Sequence, residues 1–229
     1  FFLGIGGLLQ EIPERPLPRV DTRAASQPPR APTIAALVLA AGQSRRMGSV
    51  NKLLATVDGE PMVRRAVNTA LTAGCEPVVV VTGHQREQVE EIVRENPVTL
   101  VHNPDYGEGL STSLVTGLAA LPETVDGAVV LLGDMPRISS AVLERLMAAF
   151  DPVEGRAICV PTYKGKRGNP VLWSRRLFDE MRAVKGDVGA RHLIGEHAEL
   201  VCEVAMPDNG VLMDVDTPEV LARLRDDAE

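Results

Sequence analysis

The chain has 229 residues, 45% hydrophobic and 24% charged, with a formal net charge of −7. That composition is ordinary for a soluble globular protein, and the length suits one large α/β domain burying roughly 70–75% of its unfolded surface. An acidic balance argues against a general nucleic-acid binder, because phosphate backbones select basic faces, and no apolar run approaches the ~20 residues that span a bilayer.

Residues 1–10, FFLGIGGLLQ, form a short apolar segment, and residues 11–32 carry six prolines (Pro13, Pro16, Pro18, Pro28, Pro29 and Pro32) among Arg and Ser. Such a stretch favours extended, semi-rigid backbone over packed structure. A boundary is therefore expected near Pro32, with residues 1–32 as tail and linker and 33–229 as the folded domain; an ordinary N-terminal arm is the alternative. Phe1 to Leu9 has no basic flank before it and no small-residue cleavage site after it, against a secretory signal. A chain that opens on Phe1 rather than methionine reads as a fragment of something longer.

From Thr33 strands and helices alternate. Ile34 to Ala41 is unbroken apolar, the pattern of a strand covered on both faces at the centre of a parallel sheet. A helix is predicted over Pro61–Gly74, with Val63, Ala66, Val67, Ala70 and Leu71 on one face, then a strand over Pro77–Thr82. A helix over Gln85–Glu95 and a strand over Val98–His102 complete a βαβαβ order, which implies right-handed crossovers and a doubly wound sheet. The second half predicts a loop Asn103–Leu110, a helix Ser111–Leu121, a strand Ala128–Leu132, a helix Ser139–Phe150 and a strand Arg156–Val160. A basic turn Thr162–Asn169 follows, then helices near Ser174–Ala183 and Gly189–Glu196, strands Leu200–Ala205 and Val211–Met213, and a terminal helix from about Thr217.

In open α/β sheets ligands sit at the carboxyl ends of the strands, and three polar clusters fall at such ends. The first follows Ala41: Gly42, Ser44, Arg45, Arg46, Gly48 and Lys52. Glycine lets successive N–H groups turn to one point while the cations add fixed charge, which makes a polyphosphate site. Five residues separate Gly42 from Gly48 and no Gly-Lys-Ser/Thr follows, so it is not a P-loop; no G-x-G-x-x-G opens a helix either. The second cluster is Asp134, able to hold Mg²⁺ or simply to form a turn with Met135-Pro136. The third is Asp214-Val215-Asp216, where Asp216 also reads as a helix N-cap with Glu219 completing a capping box.

Cys75, Cys159 and Cys202 are widely spaced, with no C-x-x-C and no Cys/His cluster. Neither a zinc site nor a disulfide framework is supported, and the reducing cytoplasm is the expected compartment. His84, His102, His192 and His197 show no ligand spacing and are expected in solvated or core roles.

The string Leu39-Ala40-Ala41-Gly42-x-Ser44-x-Arg46-Met47-Gly48, with Lys52 four residues on, resembles the signature of nucleotidyltransferases that share a Rossmann-like domain. Within that MobA-like NTP transferase superfamily it is most similar to the molybdenum cofactor cytidylyltransferases. Gly133-Asp134-Met135-Pro136 and Asp214-Val215-Asp216-Thr217-Pro218 match further family blocks. Between them Asn103-Pro104 with Gly109, Ser111, Ser113 and Gly117, then Gly168-Asn169-Pro170, then Gly186-Asp187-x-Gly189-Ala190-Arg191 follow in family order. The resemblance covers about residues 34–225.

The resemblance implies a mostly parallel, three-layer α/β/α sheet of the nucleotide-diphospho-sugar transferase kind. It implies that Leu39, Ala40, Ala41, Gly42, Ser44 and Ser113 frame the nucleotide, that Arg46 and Lys52 hold the triphosphate, and that Asp134 and Asp216 coordinate Mg²⁺ or Mn²⁺. Gly168, Asn169, Pro170, Asp187 and Arg191 would line the acceptor pocket, although Gly168-Asn169-Pro170 also makes a plain turn and Asp187 could merely start a helix. The implied reaction moves CMP from CTP to the terminal phosphate of molybdopterin or the molybdenum cofactor. Guanylyl transfer to the same acceptor, cytidylyl transfer to a sugar or isoprenoid phosphate, and a non-catalytic nucleotide-binding module are the alternatives. L-A-A-G and G-D-M-P favour CTP over GTP, since guanylyltransferases usually show L-A-G-G and G-D-Q-P. Some relatives carry a molybdopterin-binding domain upstream, to which residues 1–32 could be the link, and a molybdoenzyme or its chaperone would receive the product.

Overall fold

The computed structural model describes residues 30–47, 51–186 and 189–226; the expectations for residues 1–29, and those for Gly48 and Asp187, lie outside the described residues. The chain divides into two units, Phe1–Ala31 and Pro32–Glu229, and every described strand and helix lies in the second. In chain order the first half holds β1 (Ile34–Ala40), β2 (Thr56–Val57), β3 (Glu60–Pro61), α1 (Met62–Thr72), β4 (Val78–Thr82), α2 (Arg86–Val93), β5 (Thr99–His102) and α3 (Leu110–Ala119). The second half holds β6 (Gly127–Leu132), α4 (Ser140–Ala149), β7 (Ile158–Tyr163), β8 (Lys166–Arg167), β9 (Val171–Ser174), α5 (Phe178–Ala183), α6 (Leu193–Glu196), β10 (Val201–Ala205) and α7 (Pro218–Asp226).

β1 pairs in parallel with β4 and with β6, β4 with β5, and β7 with β10. Between the two halves β9 runs antiparallel to both β6 and β7, and β8 returns along β7. The order is thus β10-β7-β9-β6-β1-β4-β5, a mostly parallel, doubly wound sheet with one reversed strand in its middle. β2 and β3 form a separate hairpin.

All seven residues of β1 are buried, as its continuous apolar run requires. Ala36, Val38 and Ala40 pack on one face with Val63 and Val67 of α1, Val89 of α2 and Leu143 of α4. Ala35, Leu37 and Leu39 pack on the other with Leu114 and Leu118 of α3 and Phe178 and Met181 of α5. The result is three layers, α/β/α. A smaller cluster joins Met47, Val57 and Met62 to Val215, Leu221 and Leu224, fixing α7 beside the loop that follows β1. The three cysteines are free. Among the described residues no helix is long and apolar enough to cross a membrane.

Three segments differ from expectation. β9 is a strand where the sequence suggested only the approach to a helix: four residues, all buried, with Trp173 facing the α3 layer. The basic turn is a hairpin, with Lys164 and Gly165 both at positive φ between β7 and β8, as two-residue hairpin turns require. Val211–Met213 is not a strand; Gly210–Leu212 is a 3₁₀ turn. There the Asn169 N–H donates to the Val211 carbonyl at 2.9 Å, and the Gly210 N–H donates to the Asp208 carboxylate at 2.8 Å, so this backbone turns instead of extending.

Gly168 is what lets the hairpin and this turn meet: a Cβ there would lie 2.1 Å from the Val211 carbonyl oxygen and 2.8 Å from its carbon. Gly168→Ala is expected to destabilise the domain by about 2 kcal/mol, in the range of overpacked interiors, and to lower its thermal midpoint by roughly 4–8 °C. Scanning calorimetry measures this; an unchanged midpoint would show that the turn moves away without resistance.

Candidate active site

β1, β4 and β6 run parallel and so end at one edge of the sheet. From that edge the chain after β1 delivers Gly42, Ser44, Arg46 and Lys52, and the chain after β6 delivers Asp134. The Val215 N–H donates to the Asp134 carbonyl at 3.0 Å, which draws Asp214 and Asp216 alongside. Asp216 does not cap α7, because Thr217 does: its hydroxyl accepts from the Val220 N–H at 3.4 Å and its carbonyl from the Leu221 N–H at 3.2 Å. The Asp216 carboxylate is left for the site.

There it meets two cations. Lys52 Nζ stands 2.5 Å from Asp134 Oδ2 and 2.8 Å from Asp216 Oδ1, and Arg46 reaches Asp216 Oδ2 at 2.7 Å. Lys52 and Asp134 are mostly withdrawn from solvent, with side chains 13% and 16% exposed, whereas Arg46 is 74% exposed. Burial pushes the Asp134 carboxyl up against the pull of Lys52. Burial alone would lower the Lys52 ammonium, but its pairing with Asp134 and then Asp216 prevails and holds it above its usual value. The hydrogen bond from Lys52 brings the Asp216 carboxyl down, against its own partial burial.

These groups line a cavity of about 560 Å³ together with Leu39, Ala41, Gly42, Ser44 and Ser113. Ala40 is the one framing residue that does not line it; its side chain is fully buried on the opposite face of β1. Ser113 accepts from Asn103 Nδ2 at 2.9 Å, so its own hydroxyl hydrogen remains for a ligand. Ser44 lines the cavity but is engaged inside the loop: its hydroxyl accepts from the Lys52 N–H at 3.1 Å and donates to Asn51 Oδ1 at 3.4 Å. Asp214, which the third cluster named without giving it a role, also faces the cavity, as do Gln43 and Tyr106, which were not anticipated. Gln43 stands inside the first motif, where its place was the only signal; Tyr106 had none.

A second cavity, of about 730 Å³, contains Gly168, Asn169 and Arg191 and shares Leu39, Leu110, Leu132 and Asp214 with the first. Its floor is apolar, with Trp173, Leu114, Val160 and Ile194. Pro170 is buried in the wall and does not line it.

Asp134 Oδ1 is buried without a hydrogen-bond partner, and Lys52 already places a positive charge between Asp134 and Asp216. Both features suit a divalent cation. Among the described residues no group of three or more His, Cys, Asp or Glu gathers to hold one unaided; magnesium characteristically takes one or two carboxylates and completes its shell with water and substrate phosphates.

The MobA-like NTP transferase domain family matches residues 36–200. The nicotine blue oxidoreductase of Paenarthrobacter nicotinovorans is 31% identical over 201 residues, covering 84% of this chain and 97% of its own length. The molybdenum cofactor cytidylyltransferase of Escherichia coli K12 is 26% identical over 188 residues, covering 80% and 91%. Among solved structures, Rv0371c of Mycobacterium tuberculosis H37Rv superposes with a TM-score of 0.76 at 28% identity, covering 86% of this chain and 99% of that one. A structure of the same protein in complex with manganese superposes with a TM-score of 0.71 at 27% identity, covering 85% and 98%. A match that runs from β1 through β9 and takes in the loops carrying Lys52 and Asp134 places this chain in the MobA-like NTP transferase domain family, and it is a nucleotidyltransferase.

Proposed function

We propose that this chain transfers the cytidylyl group of CTP to the terminal phosphate of molybdopterin or the molybdenum cofactor, with Mg²⁺ or Mn²⁺, releasing pyrophosphate. The observation that carries the proposal is the Lys52–Asp134–Asp216 cluster at the junction of two contiguous cavities. One cavity offers cations and backbone for a nucleoside triphosphate; the other offers an apolar floor and Arg191 for a flat body ending in phosphate. The base assignment rests on the Leu39-Ala40-Ala41-Gly42 and Gly133-Asp134-Met135-Pro136 strings and on the similarity to the Escherichia coli cytidylyltransferase.

In this reading an oxygen of the acceptor phosphate attacks the α-phosphorus, the bond from that phosphorus to the β-phosphate oxygen breaks, and pyrophosphate leaves in line. The nucleophile is already anionic, so no strong general base is needed, and catalysis is positioning plus charge neutralisation. Asp134 and Asp216 would hold the metal ion, which supplies positive charge to the phosphate oxygens. Lys52 and Arg46 bind the β- and γ-phosphates. Ser113 and the backbone of Leu39, Ala41 and Gly42 frame base and ribose, while Gly168, Asn169 and Arg191 line the acceptor side.

Pyrophosphate release in the presence of Mg²⁺ and molybdenum cofactor is expected with CTP at least ~10-fold faster than with GTP, ATP or UTP, one good base contact being worth about that much. Preference for GTP would move the chain to guanylyl transfer, and turnover with a sugar or isoprenoid phosphate alone would replace the acceptor. Lys52→Ala and Asp134→Asn should each slow release by about 10²–10³-fold, the usual loss for one preorganised charge partner; near-native rates would remove these residues from the reaction.

Lys52→Ala also leaves the largely buried Asp134 carboxylate without its near cation. Its folded-state pKa then lies well above its unfolded value, so the variant is most stable with Asp134 protonated and loses stability as pH rises through the folded pKa. The deficit against the native chain should be small near pH 4 and grow to about 3 kcal/mol at pH 8. Thermal midpoints of the two proteins across that range measure it, and a pH-independent gap would contradict the burial of Asp134.

A further inference from the structure

The backbone that carries Lys52 is held by two side chains that the reaction does not use directly. Ser44 sits at φ 51°, a left-handed conformation, so its hydroxyl points across the loop. That hydroxyl accepts from the Lys52 N–H at 3.1 Å and donates to Asn51 Oδ1 at 3.4 Å, and the same Oδ1 accepts from the Leu53 N–H at 3.0 Å. One amide oxygen thereby closes the loop between β1 and Lys52 and caps the 3₁₀ turn that Lys52 opens. Asn51 is 4% exposed, yet its Nδ2 is buried without a partner. A side chain there only to pack, or only to satisfy itself, would not bury an unmet donor. It does not line the cavity into which Lys52 projects.

We infer that Asn51, acting through Ser44, is a positioning residue that fixes the Lys52 backbone so that Nζ arrives at the phosphates. The inference rests on the reading that Lys52 binds the triphosphate. Lysine carries its charge on a flexible four-carbon stem, and an error of about 1 Å in a group's placement can cost about 10²-fold in rate. Anchoring the backbone removes the part of that error the stem cannot correct.

Binding of inorganic triphosphate to the full chain, by calorimetry, tests this without depending on base or acceptor; pyrophosphate release supplies kcat and KM. Asn51→Ala and Ser44→Ala should each weaken triphosphate binding and lower kcat/KM by about 10–100-fold. Asn51→Asp, which keeps the acceptor oxygen, should stay within about 3-fold. In a Lys52→Ala background, Asn51→Ala should change affinity by less than about 2-fold, because the residue it positions is gone. Native affinity in both Asn51→Ala and Ser44→Ala, with Lys52→Ala weakened, overturns the inference alone; so does an equal loss in both backgrounds. Triphosphate binding undiminished by Lys52→Ala overturns the phosphate reading beneath it. Should Asn51→Ala fold poorly, Ser44→Ala crossed with Lys52→Ala decides the same question.

Discussion

The site depends on one ammonium group shared by two carboxylates. Asp134 and Asp216 come from loops more than eighty residues apart in sequence, and brought together alone they would repel. Lys52 lies within 2.8 Å of both, and Arg46 adds a second cation on the solvent side, so two negative charges meet two positive ones. The balance matters most at Asp134, where burial and, less, the Asp214 charge favour the neutral acid, and the nearby ammonium, with a smaller backbone hydrogen bond, favours the anion. In the proposed reaction Asp134 and Asp216 would hold a divalent ion, and Lys52 and Arg46 would then pair with the phosphates. One set of charges then serves the free protein and the loaded one, with the arriving anion and cation bringing their own compensation.

The two cavities meet at the middle of the sheet. Leu39 of β1 and Leu132 of β6 face both cavities, whereas Val160 of β7 and Val171 and Trp173 of β9 line only the apolar one. The reversed strand β9 makes the join: it sets Trp173 on the floor of the second cavity, and the Gly168-Asn169 segment leading into it bonds the turn at residues 210–212 that feeds Asp214 and Asp216 into the first. The Asn169 N–H on Val211 and the Val215 N–H on Asp134 are therefore two links of one chain running from acceptor side to nucleotide side.

How much of this could be read beforehand follows from where the information lies. β1, β4 and β6 are buried on both faces, so each shows as a continuous apolar run, and the helices between them show at a period of 3.6. β9 has no such signature: four residues between a turn and a helix become a strand because β6 and β7 flank them, which only the folded chain provides. Val211-Leu212-Met213 carries an apolar signal but turns, since Gly168, Asn169 and Asp208 take its backbone positions. At the site the motifs gathered Lys52, Asp134 and Asp216, yet spacing alone left Asp216 between capping a helix and facing a ligand. The answer depended on Thr217 taking the cap. Tyr106 faces the cavity by virtue of a loop path that no local pattern records.

The chemistry of the cluster also bears on the acceptor of the proposed reaction. A neutral hydroxyl nucleophile calls for a general base poised near neutrality, and among the described residues no histidine lines the first cavity. His197 lies 2.6 Å from Glu180, His84 faces Tyr106, and His192 lines the second cavity. Asp134 and Asp216 are committed to Lys52. A phosphate oxygen needs no deprotonation and is itself drawn to the cations of the cluster, which fits the acceptor of the proposed reaction. In the proposed reaction the floor of Trp173, Leu114, Val160 and Ile194 would suit a largely apolar body better than a heavily hydroxylated ring, with Arg191 in the same cavity for its charged end.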